Sequence, residues 1–60
     1  MFKIGDSVTV KDSTFGNAEV YDIFHTKEGI FYELIQTHGK YKEFLGAYSE
    51  SSLKEVEKIW

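Results

Sequence analysis

Acidic side chains are the first residues of this sixty-residue chain that could carry acid–base chemistry. Asp22 and Glu33 fall on two segments that we expect to be neighbouring strands. Two carboxylates held in one cleft can act as general acid and general base. Carboxylates on a solvated outer surface are far commoner, and a domain of this size has little room for a deep substrate pocket of about 300 Å³. We therefore predict that the protein is not an enzyme.

Metal and cofactor sites are disfavoured by the residue types present. The chain has no cysteine, so a thiolate zinc site is excluded, and His25 and His38 cannot close a metal site by themselves. The two histidines are also predicted at opposite ends of an up-and-down sheet. No G-x-S-x-G nucleophile motif occurs, and the five glycines are scattered as turn formers rather than grouped as a phosphate-binding loop. We predict no metal and no cofactor.

Aromatic residues, at 17% of the chain, are more numerous than a small core requires. The predicted core consists of Val8, Val10, Val20, Ile23, Tyr32, Leu34, Phe44, Leu53 and Val56. The aromatic residues left over are Phe15, Tyr21, Phe24, Phe31 and Tyr41, with Trp60 at the end of the chain. Surface aromatics often mark a contact site. The alternative is that several of them pack as a second, minor core under the long loop.

Alternation of apolar and polar residues predicts the elements that position these side chains. Four strands are expected over residues 7–11, 18–25, 30–35 and 41–45, the last ending at Gly46. The second strand breaks strict alternation, so we predict a bulge near Tyr21 and Asp22. Gly29 suits the left-handed position of a hairpin turn.

The last part of the chain has two interpretations. Ser52 and Glu55 form a capping-box pattern, and Leu53, Val56 and Trp60 lie at helical spacing, which together predict a short helix. The alternative is one tight turn over residues 49–53, followed by a short strand over residues 54–58.

Two patches of sequence resemble a known family. The opening F-K-I-G-D-S-V-T-V, residues 2–10, looks like a "G-D-x-V-x-V" opening that continues through residues 15–23. Residues 48–56, Y-S-E-S-S-L-K-E-V, are similar to an ending of aromatic, short polar turn, Leu, two residues and Val. The chain thus resembles the SH3-like small β-barrels, which include the KOW and Tudor modules. The resemblance implies one all-β domain over residues 1–60, a five-stranded barrel with a short 3₁₀ turn before the last strand.

Charge and composition limit the partners. Seven lysines oppose ten acids, for a net charge of −3, and the chain has no arginine, the residue that clamps phosphate and reads guanine. KOW segments usually have glycine where this chain has Ala18 and carry basic loops, whereas residues 11–17 are not basic. Both observations disfavour nucleic acid. With no apolar run of about 20 residues and no signal sequence, we expect a soluble cytoplasmic protein.

We predict a non-catalytic binding module that recognises a protein or peptide through exposed aromatics, as a monomer or weak homo-oligomer. The resemblance to SH3-like barrels implies that the first long loop and the third connection lie at one end, which would bring together Phe15, Asn17, His38 and Tyr41. An aromatic pair there could grip a proline-rich, methylated or extended apolar segment. Two alternatives stay open: a KOW-like or chromatin-protein-like nucleic-acid-binding barrel, and a small acidic inhibitor of a nucleic-acid enzyme.

Overall fold

The computed structural model describes residues 1–14 and 16–56 of the chain. These residues form β1 (Ser7–Val10), β2 (Asn17–Thr26), β3 (Gly29–His38), β4 (Tyr41–Ser49), a 3₁₀ turn (Glu50–Ser52) and β5 (Leu53–Glu55). The five strands make one antiparallel sheet in the order β4-β3-β2-β1-β5. The all-β prediction is confirmed. No pairing joins the edge strands β4 and β5 within the described residues, so the sheet there is open.

The β2–β3 hairpin is longer than the alternation predicts, because its turn needs only two residues. Lys27 and Glu28 connect the strands, and Gly29 takes the positive φ, +127°, that was expected of it. The Thr26 hydroxyl fastens the turn: it donates to the Gly29 carbonyl at 2.9 Å and accepts from the Glu28 amide at 3.2 Å. The polar residues near the turn therefore remain in the ladder.

Two bulges set which side chains face the core. The predicted bulge in β2 is confirmed, since the β2–β3 register shifts between Val20 and Asp22. The second bulge is in β4: Leu34 pairs with Gly46 and Ile35 pairs with Phe44, which leaves an extra residue in β4. Our prediction that the fourth strand ends at Gly46 is wrong. Glycine at φ +109° lets the backbone pass through the bulge and the strand continue to Ser49.

The core lies on one face of the sheet. Its buried members are Val8, Ala18, Val20, Tyr32, Leu34 and Leu53. The predicted Val10 and Ile23 pack against it half-buried, and Val56 is half-buried. Phe44 is a wrong prediction, because it is 57% exposed. Phe44 pairs with Ile35, which lies on the face opposite the core, whereas Leu45, the extra residue of the bulge, packs against the core.

The tail follows the turn-and-strand interpretation as far as it is described. The 3₁₀ turn leads into β5, where Leu53 is buried and pairs with Val10 of β1. The short helix, which was the other interpretation, does not form over residues 53–56. The strand begins at Leu53, one residue before the predicted range 54–58, and ends at Glu55. Residues 57–60, with Trp60, lie outside the described part.

The N-terminus is fixed to the rest of the domain through Tyr32. The Phe2 ring meets the Tyr32 ring edge to face, with 5.3 Å between centroids. The Tyr32 hydroxyl accepts from the Phe2 amide at 3.2 Å and donates to Oε1 of Glu50 at 2.8 Å. The N-terminal ammonium of Met1 lies 3.7 Å from the same oxygen. One buried tyrosine therefore joins the chain start to the 3₁₀ turn.

Candidate functional site

His38 and Tyr41 form a ring pair at the end of the β3–β4 hairpin. His38 ends β3 and Tyr41 begins β4, and their ring centroids are 5.4 Å apart at an interplanar angle of 33°. The His38 imidazole also contacts Glu43, with Nε2 lying 3.0 Å from Oε1 of that carboxylate. Tyr41 remains 64% exposed. This arrangement presents an aromatic side chain on an anchored strand end.

Asn17 lies at the same end of the sheet as this ring pair, but alternation places its side chain on the opposite face from His38 and Tyr41. It begins β2, while β3 ends beside it. Its backbone oxygen accepts a 3.1 Å hydrogen bond from Nε2 of Gln36, which shares a strand face with His38. The link between Asn17 and His38 is thus indirect. Phe15, the remaining predicted site residue, lies outside the described residues.

Asn17 also lines an open depression of about 440 Å³. The other lining residues are Thr9, Lys54, Glu55 and Val56. The depression is open to solvent, and it carries one cationic and one anionic side chain, so its charge indicates no particular ligand.

The two carboxylates considered for acid–base chemistry are neighbours, as predicted. Asp22 of β2 pairs with Glu33 of β3, and both side chains are half-buried on the face opposite the core. Oδ1 of Asp22 accepts a 2.8 Å hydrogen bond from the Ile23 amide. Over residues 1–14 and 16–56, no group of three or more histidine, cysteine, aspartate or glutamate side chains could hold a metal ion.

The two histidines are separated, as the up-and-down order predicts. His25 lies near the end of β2 and His38 at the end of β3. Because the two strands are antiparallel, these residues lie at opposite ends of the hairpin. Both side chains are exposed. They therefore do not share a site.

A group of aromatic side chains lies on the side of the sheet opposite the core, and we call it the aromatic face. Its residues are Tyr21, Phe24, Phe31, Ile35 and Phe44. Tyr21 and Phe44 meet edge to face with 5.1 Å between ring centroids, and Phe24 pairs in register with Phe31. Ile35 is only 1% exposed although it lies on this face, whereas Tyr21, Phe24 and Phe44 remain exposed.

The aromatic face combines the two roles that the sequence left open for the surplus aromatics. Ile35 is buried and Phe31 half-buried, as in a minor core, while the outer rings remain available for contact. Sequence reasoning missed Phe44 because it assigned this residue to the core, although Phe44 alternates with Leu45, which packs there. Gly46 was the available signal, since a glycine within a strand pattern often marks a bulge that reverses the phase.

Comparison with known proteins gives no relative from which a role could be transferred. No protein-family model matches the sequence, and the searches of curated proteins and of solved structures gave no match. The described part of the chain contains no helix with the length and apolar character that a membrane span requires. The functional argument therefore depends on the surfaces described above.

Proposed function

We propose that this protein is a non-catalytic binding module, an SH3-like small β-barrel that recognises a protein or peptide through exposed aromatic side chains. The sheet order and the 3₁₀ turn before β5 support the SH3-like assignment, because β1 pairs with both β2 and β5. A sheet with this order becomes a small barrel when its two edge strands curl towards each other. Such folds serve many functions, so the surface has to carry the functional argument.

The observation that carries the proposal is the position of the exposed aromatics. Among residues 1–14 and 16–56, four aromatics are at least 41% exposed, and all four lie within strands: Tyr21, Phe24, Tyr41 and Phe44. A ring on a paired strand loses little conformational entropy when a partner covers it, because its backbone is already ordered. Large aromatic side chains also dominate the energetics of protein interfaces.

The end of the sheet with Asn17, His38 and Tyr41, together with Phe15, is the binding site that we propose first. Tyr41 is the most exposed aromatic of this group among the described residues. Its contact with the His38 ring restricts the conformations of the Tyr41 side chain. A partner segment at this end of the sheet would pack on the Tyr41 ring, while Asn17 would contact it only from the opposite face.

The test is capture of partner proteins from an extract by the immobilised protein, followed by identification of the bound proteins. Tyr41→Ala should lose a specific subset of them while its melting temperature stays near that of the parent. The matched control is Lys27→Ala, an exposed position in the turn at the opposite end of the hairpin, which should retain the full set. Equal capture by the parent and Tyr41→Ala would contradict the site.

A further inference from the structure

We infer that the aromatic face receives a basic, apolar segment of a partner protein, with a lysine or arginine side chain lying across the Tyr21 and Phe44 rings. This inference rests on the proposed binding function and adds the chemistry of the partner. Exposed rings on one sheet face form an apolar surface that a partner side chain can cover. The rings Tyr21 and Phe44 are 45% and 57% exposed, so the pair leaves much of its own surface open.

The charges on this face select the sign of the partner. Alternation and register place Glu19, Asp22 and Glu33 there, around the ring pair. Asp22 and Glu33 are directly opposed in register, and like charges in that position destabilise a sheet. Within residues 1–14 and 16–56, no salt bridge joins these three carboxylates to a lysine. A cation from outside would relieve the repulsion.

Lysines on the same face do not cancel this field at its centre. Lys42 pairs with Thr37 near the β3–β4 turn. Lys54 pairs with Thr9 at the β5 edge of the sheet. The charged residues at the centre of the described face, by contrast, are Asp22 and Glu33. Complementary charge across an interface favours the matching partner and repels the others.

This charge pattern also argues against two other occupants. A second copy of the chain, docked face to face, would bring its own Glu19, Asp22 and Glu33 against these three. A nucleic acid would bring phosphates against the same carboxylates. A basic peptide matches both the rings and the carboxylates of this face. The methylene stem of its lysine or arginine packs on the rings while the charge reaches a carboxylate.

The test is a two-dimensional ¹H–¹⁵N NMR titration of the whole chain with two capped synthetic hexapeptides. One alternates valine with lysine, and the other alternates valine with glutamate. We expect the lysine peptide to shift the amide signals of Tyr21, Glu33 and Phe44 saturably, and the glutamate peptide to leave them in place. Glu33→Gln should weaken the lysine peptide by about two- to fivefold, the usual size of one exposed charge pair.

Glu28→Gln is the matched control, because it changes net charge equally but lies in the β2–β3 turn, away from the ring pair. It should bind the lysine peptide like the parent. Equal loss in Glu28→Gln and Glu33→Gln, or binding of both peptides alike, would overturn the inference. So would no binding of the lysine peptide, or concentration-dependent self-association through the same amides. If the inference fails while Tyr41→Ala still loses its partners, the proposed function stands without it.

Discussion

The Tyr21 and Phe44 rings are in contact although their strands are not neighbours. Tyr21 belongs to β2 and Phe44 to β4, and β3 runs between them. Since paired strands lie roughly 4.8 Å apart, the two backbones are about 10 Å apart, yet the ring centroids are separated by 5.1 Å. The rings therefore lean towards each other over β3, where Ile35 is buried.

This ring pair should be energetically coupled. Edge-to-face aromatic pairs contribute about 0.5–1.5 kcal/mol beyond the area they bury. We expect a coupling energy of this size from a double-mutant cycle of Tyr21→Ala and Phe44→Ala, measured by urea denaturation. Because Phe44 is exposed rather than in the core, Phe44→Ala alone should cost less than the ~3–5 kcal/mol typical of a buried phenylalanine. Strict additivity would show that the contact is not maintained in solution.

Leu34→Ala should nearly unfold the domain. Leu34 is fully buried in the central strand of the β4-β3-β2 group, and removing a buried leucine side chain costs about 2–5 kcal/mol. A domain of this size has little stability in reserve. Circular dichroism melts should show the loss, whereas the exposed Thr37→Ala on the same strand should melt like the parent. A parental melt for Leu34→Ala would contradict the assigned core face.

Tyr32 should make stability depend on pH in the alkaline range. Burial raises the pKa of Tyr32 above its ordinary value; the hydrogen bond from the Phe2 amide opposes this rise, and the hydrogen bond to Glu50 adds to it. The folded state therefore favours the protonated phenol. Its contribution is complete below the unfolded pKa of about 10 and is lost as the pH rises through the higher folded pKa, because the unfolded chain releases the proton first.

Urea denaturation of the parent and Tyr32→Phe at about pH 8 and about pH 11 measures this effect. Tyr32→Phe should be less stable at the lower pH, since the Phe2 amide and Glu50 lose their partner. The stability difference between the parent and Tyr32→Phe should shrink at the higher pH. Tyr48→Phe is the matched tyrosine variant, and its stability is measured at the same two pH values. An equal or larger difference for Tyr32→Phe at the higher pH would refute the sign of the shift.

Nucleic acid should bind weakly or not at all near physiological salt. Ten acidic residues outnumber seven lysines, and no arginine is present. Fluorescence anisotropy with random single- and double-stranded DNA and RNA, over a series of salt concentrations, tests this expectation. Micromolar binding with a steep decrease at higher salt would favour the KOW-like or chromatin-protein-like alternative instead.

Local signals determined most of the fold. Period-2 alternation placed the strands, glycines and polar residues marked the turns, and the broken alternation after Val20 indicated the β2 bulge. The antiparallel order of the hairpins then brought Asn17, His38 and Tyr41 to one end of the sheet. The strands, turns and β2 bulge follow from residue type and from spacing within a few residues, whereas the common end of Asn17, His38 and Tyr41 was expected from the resemblance to SH3-like barrels.

Tertiary structure alone decided the faces of β4 and the use of the surplus aromatics. Phe44 pairs with Ile35, and the extra residue at Leu45 then changes the phase of the part of β4 that continues through Gly46 to Ser49. That pairing turns Phe44 outward, where it meets Tyr21 across β3. The phase of a strand beyond a bulge depends on its register with a neighbour, and alternation within the strand does not determine that register.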